Sequence, residues 1–138
     1  MMKCSGNMKK IIIDLDGTIT AGDCDDYKMV RPNKLLIEKL KDYKRNGYEV
    51  IISTARNMRT YDNNIGKINI NTLPSIIEWL NKHSVPYDEI YVGKQWCGFD
   101  GFYVDDKAIR PSEFTSLTYE EIKKLLEHEC SVVREGDA

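Results

Sequence analysis

The chain has 138 residues, of which 41% are hydrophobic and 30% are charged, and its formal net charge is −2. This composition favours a soluble globular domain over a disordered chain. The near balance of charges gives no support to broad binding of nucleic acid or of an anionic membrane surface. Because no apolar stretch approaches the ~20 residues that span a bilayer, and the N-terminus lacks an apolar signal segment, we expect a cytoplasmic protein whose four cysteines are free thiols.

Four strands are predicted along the chain, each from a short run that is rich in β-branched or aromatic residues. We expect them over residues 10–14, 49–54, 89–92 and 101–104. The first of these runs leads into Gly17, which marks a turn directly after the strand.

Helices are predicted between these strands and after the last of them. Pro32 is expected in the first turn of a helix that runs to about Asn46. Thr72 is expected to cap a second helix, and a capping box over residues 118–121 is expected to begin the last one. The segment 56–71, which is polar and rich in Asn, predicts a long loop or a poorly formed helix.

The order of these elements predicts the fold class. Alternating strands and helices indicate an α/β fold with a parallel sheet and helices on both of its faces. The sequence has no internal repeat or linker, so we expect a single domain over residues 8–130. Segments 1–7 and 131–138 are expected to be flexible termini.

Polar or charged side chains follow every predicted strand, at the edge of the sheet where such folds bind their ligands. They are Asp14 and Asp16, Thr54, Lys94, and Asp105 with Asp106. Carboxylates that lie close together repel one another, and a divalent cation such as Mg²⁺ removes this conflict. The sequence therefore predicts a Mg²⁺ site at this edge, with the threonine and the lysine holding the oxygens of a phosphate.

These motifs resemble those of a known superfamily. The segment DLDGT, which begins at Asp14 after an apolar strand, resembles the first motif of the haloacid dehalogenase (HAD) superfamily. Thr54, Lys94 and the pair 105–106 resemble its second, third and fourth motifs in the same order, over about residues 9–126. The resemblance implies a three-layer, Rossmann-like core and a phosphatase that forms an aspartyl-phosphate.

The same resemblance implies a role for each motif residue. Asp14 is the expected nucleophile, and Asp16 is the expected general acid and then the general base. Thr54 and Lys94 are expected to bind the phosphate and to stabilise its charge. The remaining implied contacts are Gly17, Thr18, Ala55 and Arg56 for the substrate, and Asp14, Asp16, Asp105 and Asp106 for Mg²⁺. For Arg56 a solvated surface loop is the alternative.

A narrower likeness points to a substrate class. The segments TARNMRT, GKQW and FYVDDK are similar to small HAD proteins associated with bacterial capsule and surface-polysaccharide synthesis. Those proteins usually carry Pro where this chain has Gln95. This likeness implies a small phosphorylated sugar or polyol as the substrate.

No cap domain is expected over this site. Only 17 residues lie between Asp14 and Pro32, which is too few for a separate folded domain. The chain thus resembles the capless HAD proteins, in which a large substrate or a neighbouring subunit covers the cleft. We expect a homo-oligomer, or the segment 56–71, to supply the lid.

Two other functions remain open from the sequence. The first is a polynucleotide 3′-phosphatase on the same scaffold, which the negative net charge disfavours. The second is a HAD-fold regulator without catalytic activity, which the presence of both Asp14 and Asp16 disfavours. The acidic loop at Asp23, Asp25 and Asp26 is expected to be solvated, with a second metal site as the alternative.

Overall fold

The structure is a computed structural model that describes residues 9–22 and 26–136. The predictions made for residues 1–7 and for Asp23 and Asp25 lie outside these residues. The chain forms two compact units, Met1–Trp96 and Cys97–Ala138. The sheet lies in the first unit, and the segment that carries Asp105 and Asp106 lies in the second.

Five strands occur in the described part of the first unit. In chain order they are β1 (Lys9–Ile13), β2 (Thr20–Ala21), β3 (Arg31–Pro32), β4 (Tyr48–Thr54) and β5 (Glu89–Val92). Strands β1, β4 and β5 form a parallel sheet with β4 in the centre. Strands β2 and β3 form a separate antiparallel pair. The predicted parallel sheet is therefore confirmed, and its three strands lie within one residue of their predicted positions.

The helices of the first unit are α1 (Lys34–Arg45), α2 (Ile65–Asn71) and α3 (Leu73–Lys82). Those of the second unit are α4 (Pro111–Ser116) and α5 (Tyr119–Glu135). Within the described residues, none of these helices has the length and apolar character needed to cross a membrane.

The core of the first unit explains why β4 is central. Its residues Val50 and Ile52 are fully buried, as are Leu36 and Leu40 on α1. On α3 the indole N–H of Trp79 donates to the backbone carbonyl of Val30 at 3.0 Å, so the ring is buried with its polar atom paired.

The start of α1 corrects one prediction. Pro32 does not lie in the first helical turn but in strand β3, where it pairs with Thr20. Helix α1 begins at Lys34, and the Asn33 side chain caps it by accepting a hydrogen bond from the Leu36 N–H at 3.3 Å. Proline suits an edge strand as well as a first helical turn, and here the pairing with β2 decides between them.

The segment 56–71 is neither a long loop nor a poor helix throughout. Its first half consists of turns, and its second half forms the regular helix α2. Thr72 is the N-cap residue of α3, as predicted, but its hydroxyl makes no capping hydrogen bond and instead donates to Asn57 Oδ1 at 2.7 Å. The short helix α2 thus runs almost directly into α3.

In the second unit the predicted strand over residues 101–104 is wrong. These described residues form an irregular, exposed segment outside any strand. High β-propensity produces a strand only where a neighbouring strand supplies hydrogen bonds.

The capping box that was predicted to begin the last helix is confirmed. Thr118 Oγ1 accepts from the Glu121 N–H at 3.2 Å, and the Glu121 carboxylate accepts from the Thr118 N–H at 2.9 Å. Helix α5 continues to Glu135, past the boundary at residue 130 that the sequence suggested.

Candidate active site

A wide turn carries the first motif away from the end of β1. Asp14 directly follows the strand, and residues 15–19 form a turn that the Thr20 N–H closes on the carbonyl of Leu15. Leu15 and Ile19 are buried at its two ends, whereas Gly17 has a φ of 77° that favours glycine. The buried ends hold the turn at the edge of the sheet, so that Asp14 and Asp16 lie beyond the strand.

Asn33 and Thr20 fix this turn, and the sequence reasoning did not identify either of them. The Asn33 N–H donates to the carbonyl of Ile19 at 2.8 Å, and its side-chain amide donates to the carbonyl of Thr18 at 3.0 Å. Thr20 Oγ1 accepts from the Gly17 N–H at 3.0 Å. An Asn just before a helical pattern is a capping signal that could have identified Asn33, but nothing local marks Thr20. A phosphate contact at Gly17 would have to share or replace this bond.

Asp14 is half-buried and pairs with Lys94, which follows β5 at the opposite edge of the sheet from β1. Lys94 Nζ lies 3.5 Å from Asp14 Oδ1, and the Thr18 hydroxyl donates to Asp14 Oδ2 at 3.3 Å. Burial raises the pKa of the Asp14 carboxyl above its ordinary value, although the charge of Lys94 and a hydrogen bond from the Leu15 N–H act in the opposite direction. The neighbouring Asp16 adds to the rise.

Lys94 takes its position from the ends of β4 and β5. Its N–H donates to the carbonyl of Thr54 at 3.2 Å, which extends the strand pairing beyond Val92. Gly93, with a φ of 91°, directly precedes it. A Cβ at Gly93 would overlap the side chain of Ile65 at the start of α2, so glycine also permits this close approach.

Thr54 ends β4 and is buried beneath the loop that follows it. Its hydroxyl accepts from the Arg56 N–H at 3.1 Å, and the hydroxyl retains its own proton for a further hydrogen bond. Ala55, which is half-buried, accepts from the Met58 N–H at 3.0 Å through its carbonyl.

Arg56 forms a two-pronged ion pair with Asp16. Its Nη2 lies 2.7 Å from Asp16 Oδ1 and its Nε lies 3.1 Å from Asp16 Oδ2. The Arg56 side chain is only 2% exposed, against 38% for Asp16, and the ring of Tyr27 stacks 4.1 Å from the guanidinium carbon. The guanidinium expected to contact a substrate is thus occupied within the protein. The substrate roles of Gly17, Thr18, Ala55 and Arg56 stay predictions.

The two aspartates of the fourth motif lie in the second unit. Both are exposed, and Asp105 Oδ1 accepts from the Lys107 N–H at 2.9 Å. That hydrogen bond, followed by one with the Asp106 side chain, lowers the pKa of Asp105 below its ordinary value. Across residues 9–22 and 26–136 no three His, Cys, Asp or Glu side chains form a group that could hold a metal ion. The metal roles of Asp105 and Asp106 stay predictions.

The sheet edge of the first unit therefore combines a half-buried carboxylate, a lysine and a buried hydroxyl. Such an edge can bind an anion and present an oxygen nucleophile to it. A protein-family model described as haloacid dehalogenase-like hydrolase matches residues 11–129. Since this match includes all four motifs and most of the chain, the chain belongs to the haloacid dehalogenase-like hydrolases. The family and the α/β fold implied by the sequence are both confirmed.

A solved relative supports the same assignment. The chain is 62% identical to a protein from Vibrio cholerae with a known crystal structure, and the two folds superpose with a TM-score of 0.87. The similarity covers 88% of this chain and 99% of that one. No curated protein matches the chain.

Proposed function

We propose that the chain is a Mg²⁺-dependent phosphomonoester hydrolase that forms an aspartyl-phosphate on Asp14. The observation that carries this proposal is the contact between Asp14 Oδ1 and Lys94 Nζ, 3.5 Å apart beyond the ends of two parallel strands. A lysine beside a nucleophilic carboxylate attracts the phosphate to be attacked and stabilises the charge on its oxygens.

The donor atoms at this edge suit Mg²⁺, which prefers oxygen ligands, retains several waters and commonly uses one or two carboxylates with a substrate phosphate. The Asp14 carboxylate is a fitting ligand, because its partial burial disfavours the charged form unless a cation is near. Arg56 occupies both side-chain oxygens of Asp16, so we assign the backbone carbonyl of Asp16 to the metal. Asp105 and Asp106 are the other proposed ligands. A bound ion would offset the repulsion between the Asp14 carboxylate and the phosphate.

The reaction that we propose has two transfers. An oxygen of Asp14 attacks phosphorus, the bond from phosphorus to the leaving oxygen breaks, and Asp16 gives that oxygen a proton. Asp16 then takes a proton from a water molecule, which attacks the same phosphorus and releases Asp14 and inorganic phosphate. Lys94 and Thr54 hold the oxygens of the transferred group in both steps.

We further propose a small phosphorylated sugar or polyol from surface-polysaccharide synthesis as the substrate. The support is the likeness of TARNMRT, GKQW and FYVDDK to small HAD proteins of that process, together with a net charge of −2 that does not favour a polynucleotide. A capless site at the end of the sheet needs a lid, and we propose that a second subunit supplies it. Such a substrate and enzyme would meet in the cytoplasm.

Phosphate release from the purified protein tests this function. The substrates are p-nitrophenyl phosphate, a panel of sugar and polyol phosphates, and a 3′-phosphorylated oligonucleotide, each with Mg²⁺ and with excess chelator. We expect Mg²⁺-dependent release with a sugar or polyol phosphate as the best substrate, and a loss of roughly 10³-fold or more in Asp14→Asn.

A matched control is Asp42→Asn, which changes an aspartate on the exposed side of α1 and should leave the rate unchanged. If the folded, Mg²⁺-bound wild type releases no phosphate from any substrate, the enzyme proposal is wrong and a regulatory role is favoured. Preferred release from the oligonucleotide would instead identify a polynucleotide phosphatase.

A further inference from the structure

We propose that Arg56 is a positioning residue that fixes the carboxylate of Asp16 for proton transfer to the leaving oxygen. This inference rests on the proposed function and assigns Arg56 a role inside the protein instead of a contact with substrate. It follows from how Arg56 is held, from how it holds Asp16, and from which oxygen lone pairs the pair leaves available.

Arg56 is itself rigidly held by the end of the central strand. Its N–H donates to the hydroxyl of Thr54, the last residue of β4, at 3.1 Å. Its side chain is 2% exposed, and the Tyr27 ring covers one face of the guanidinium at 4.1 Å. A buried, stacked guanidinium has little rotational freedom, so it can serve as a fixed reference for the Asp16 carboxylate.

Asp16, by contrast, lies in the irregular part of the turn that follows β1. Its backbone is not helical, and it directly precedes Gly17 with a φ of 77°. The Asp16 side chain is 38% exposed. A side chain in such a turn has several staggered orientations available, and the two hydrogen bonds from Arg56 at 2.7 and 3.1 Å select one of them.

The two-pronged geometry leaves positions on both Asp16 oxygens for a proton. A carboxylate offers about four acceptor positions on its two oxygens, and Arg56 uses one on each oxygen. The remaining positions are free to carry a proton to the leaving oxygen or to accept one from water. A lysine at position 56 would supply the charge from one point and would not set the plane of the carboxylate.

A purely structural ion pair is the alternative, and the leaving group distinguishes the two. Proton donation matters greatly for an alkyl phosphate, whose leaving alkoxide is strongly basic, and little for p-nitrophenyl phosphate. The ratio kcat/KM reports only the steps up to the first phosphoryl transfer, so it isolates proton donation from the later attack of water. A general loss of structure would lower kcat/KM for both substrates alike.

The experiment compares kcat/KM for glycerol phosphate and p-nitrophenyl phosphate in the wild type, Arg56→Lys and Asp16→Asn. In Arg56→Lys we expect a loss of about 10²-fold for glycerol phosphate and of less than about 10-fold for p-nitrophenyl phosphate, with the same selectivity in Asp16→Asn. Arg45→Lys, at an exposed arginine that pairs with Asp42 on α1, is the matched control and should change neither value.

A second variant keeps the test decisive if Arg56→Lys does not fold. Tyr27→Leu removes the ring from the guanidinium but retains the ion pair. Because Tyr27 is exposed, we expect this variant to fold. We expect it to reduce kcat/KM about threefold for glycerol phosphate only.

Equal losses for both substrates, or no loss, in a folded Arg56→Lys and in Tyr27→Leu would overturn the positioning role while leaving the phosphatase proposal standing. A wild type that is inactive on both substrates and on every other phosphate ester of the panel would overturn the phosphatase proposal, and the role of Arg56 with it.

Discussion

Two pairs of aspartates in this chain have the same chemistry but opposite surroundings. Asp14 and Asp16 are half-buried, and side chains from distant parts of the first unit hold each of them: Lys94 holds one and Arg56 the other. Asp105 and Asp106 are exposed, and Asp105 bonds to its own backbone two residues further on. Correspondingly, burial raises the pKa of Asp14, whereas local hydrogen bonds lower that of Asp105. The motifs supply carboxylates in both places, and packing gives them these different surroundings.

Removing the positive charge of Lys94, beside the half-buried aspartates, should have the largest effect on activity. We expect Lys94→Met to lower kcat/KM for the best phosphate ester by about 10²- to 10³-fold, because a fixed positive charge at the transferred group is lost. Initial rates of phosphate release measure this change.

The matched variant is Lys41→Met, which removes a partly exposed lysine that pairs with Glu38 on α1 and lies outside the proposed site. An equal effect of the two variants, or none from Lys94→Met, would show that the Asp14–Lys94 contact is not part of the reaction.

The exposed pair should have an intermediate effect, through the metal. If Asp105 binds Mg²⁺ as proposed, Asp105→Asn raises the Mg²⁺ concentration for half-maximal activity about 10-fold or more, while turnover at saturating Mg²⁺ changes less. A Mg²⁺ titration of activity measures both quantities.

Asp100→Asn, at an exposed aspartate of the same segment, serves as the control for a simple change in surface charge. An unchanged Mg²⁺ requirement in Asp105→Asn would show that Asp105 does not bind Mg²⁺, contrary to the proposal.

The smallest effect is expected at Asp88, an aspartate that a lysine holds outside the site. Lys44 Nζ contacts its two oxygens at 2.6 and 2.7 Å, and the Val50 N–H donates to it at 2.8 Å. Partial burial alone would raise the pKa of Asp88, but these hydrogen bonds and the lysine charge together lower it below 3.8. Folding thus favours the ionised form of Asp88. Its contribution to the free energy of unfolding is therefore present above pH 3.8 and is lost as the pH falls through the lowered pKa.

Urea unfolding at several pH values checks this sign. Asp88→Asn should lower the free energy of unfolding by about 1 kcal/mol at neutral pH, and this difference should shrink as the pH is lowered below 3.8. Asp42→Asn, in an exposed pair of α1, should cost almost nothing at any pH. A cost at Asp88 that grows on acidification would contradict the assigned direction.

The sheet was predictable because its signals are local. Runs of β-branched residues mark β1, β4 and β5, and the box at Thr118 and Glu121 marks the start of α5. The sequence predictions failed where contacts with a residue distant in the chain determine the local structure. Pro32 pairs with Thr20 instead of entering α1, and the Thr72 hydroxyl bonds to Asn57.

The candidate site was predictable to a similar extent. The order of parallel strands places Asp14, Thr54 and Lys94 at one edge, which the motif order indicated. The pair of Asp16 with Arg56 was not predictable, because no pattern in the sequence shows that an arginine after β4 points inward instead of to solvent. The segment 101–104 has the composition of a strand, but pairing depends on neighbours that composition does not specify.

The central place of β4 also determines when the site can assemble. Asp14 follows β1 and Lys94 follows β5, and within the described residues these strands are joined through β4. The pairing of β1 with β4 alone therefore does not bring Lys94 to Asp14, because the lysine is placed only when β5 pairs with the other side of β4. If the proposed function holds, a local opening of β5 would abolish activity while β1 and β4 stay paired.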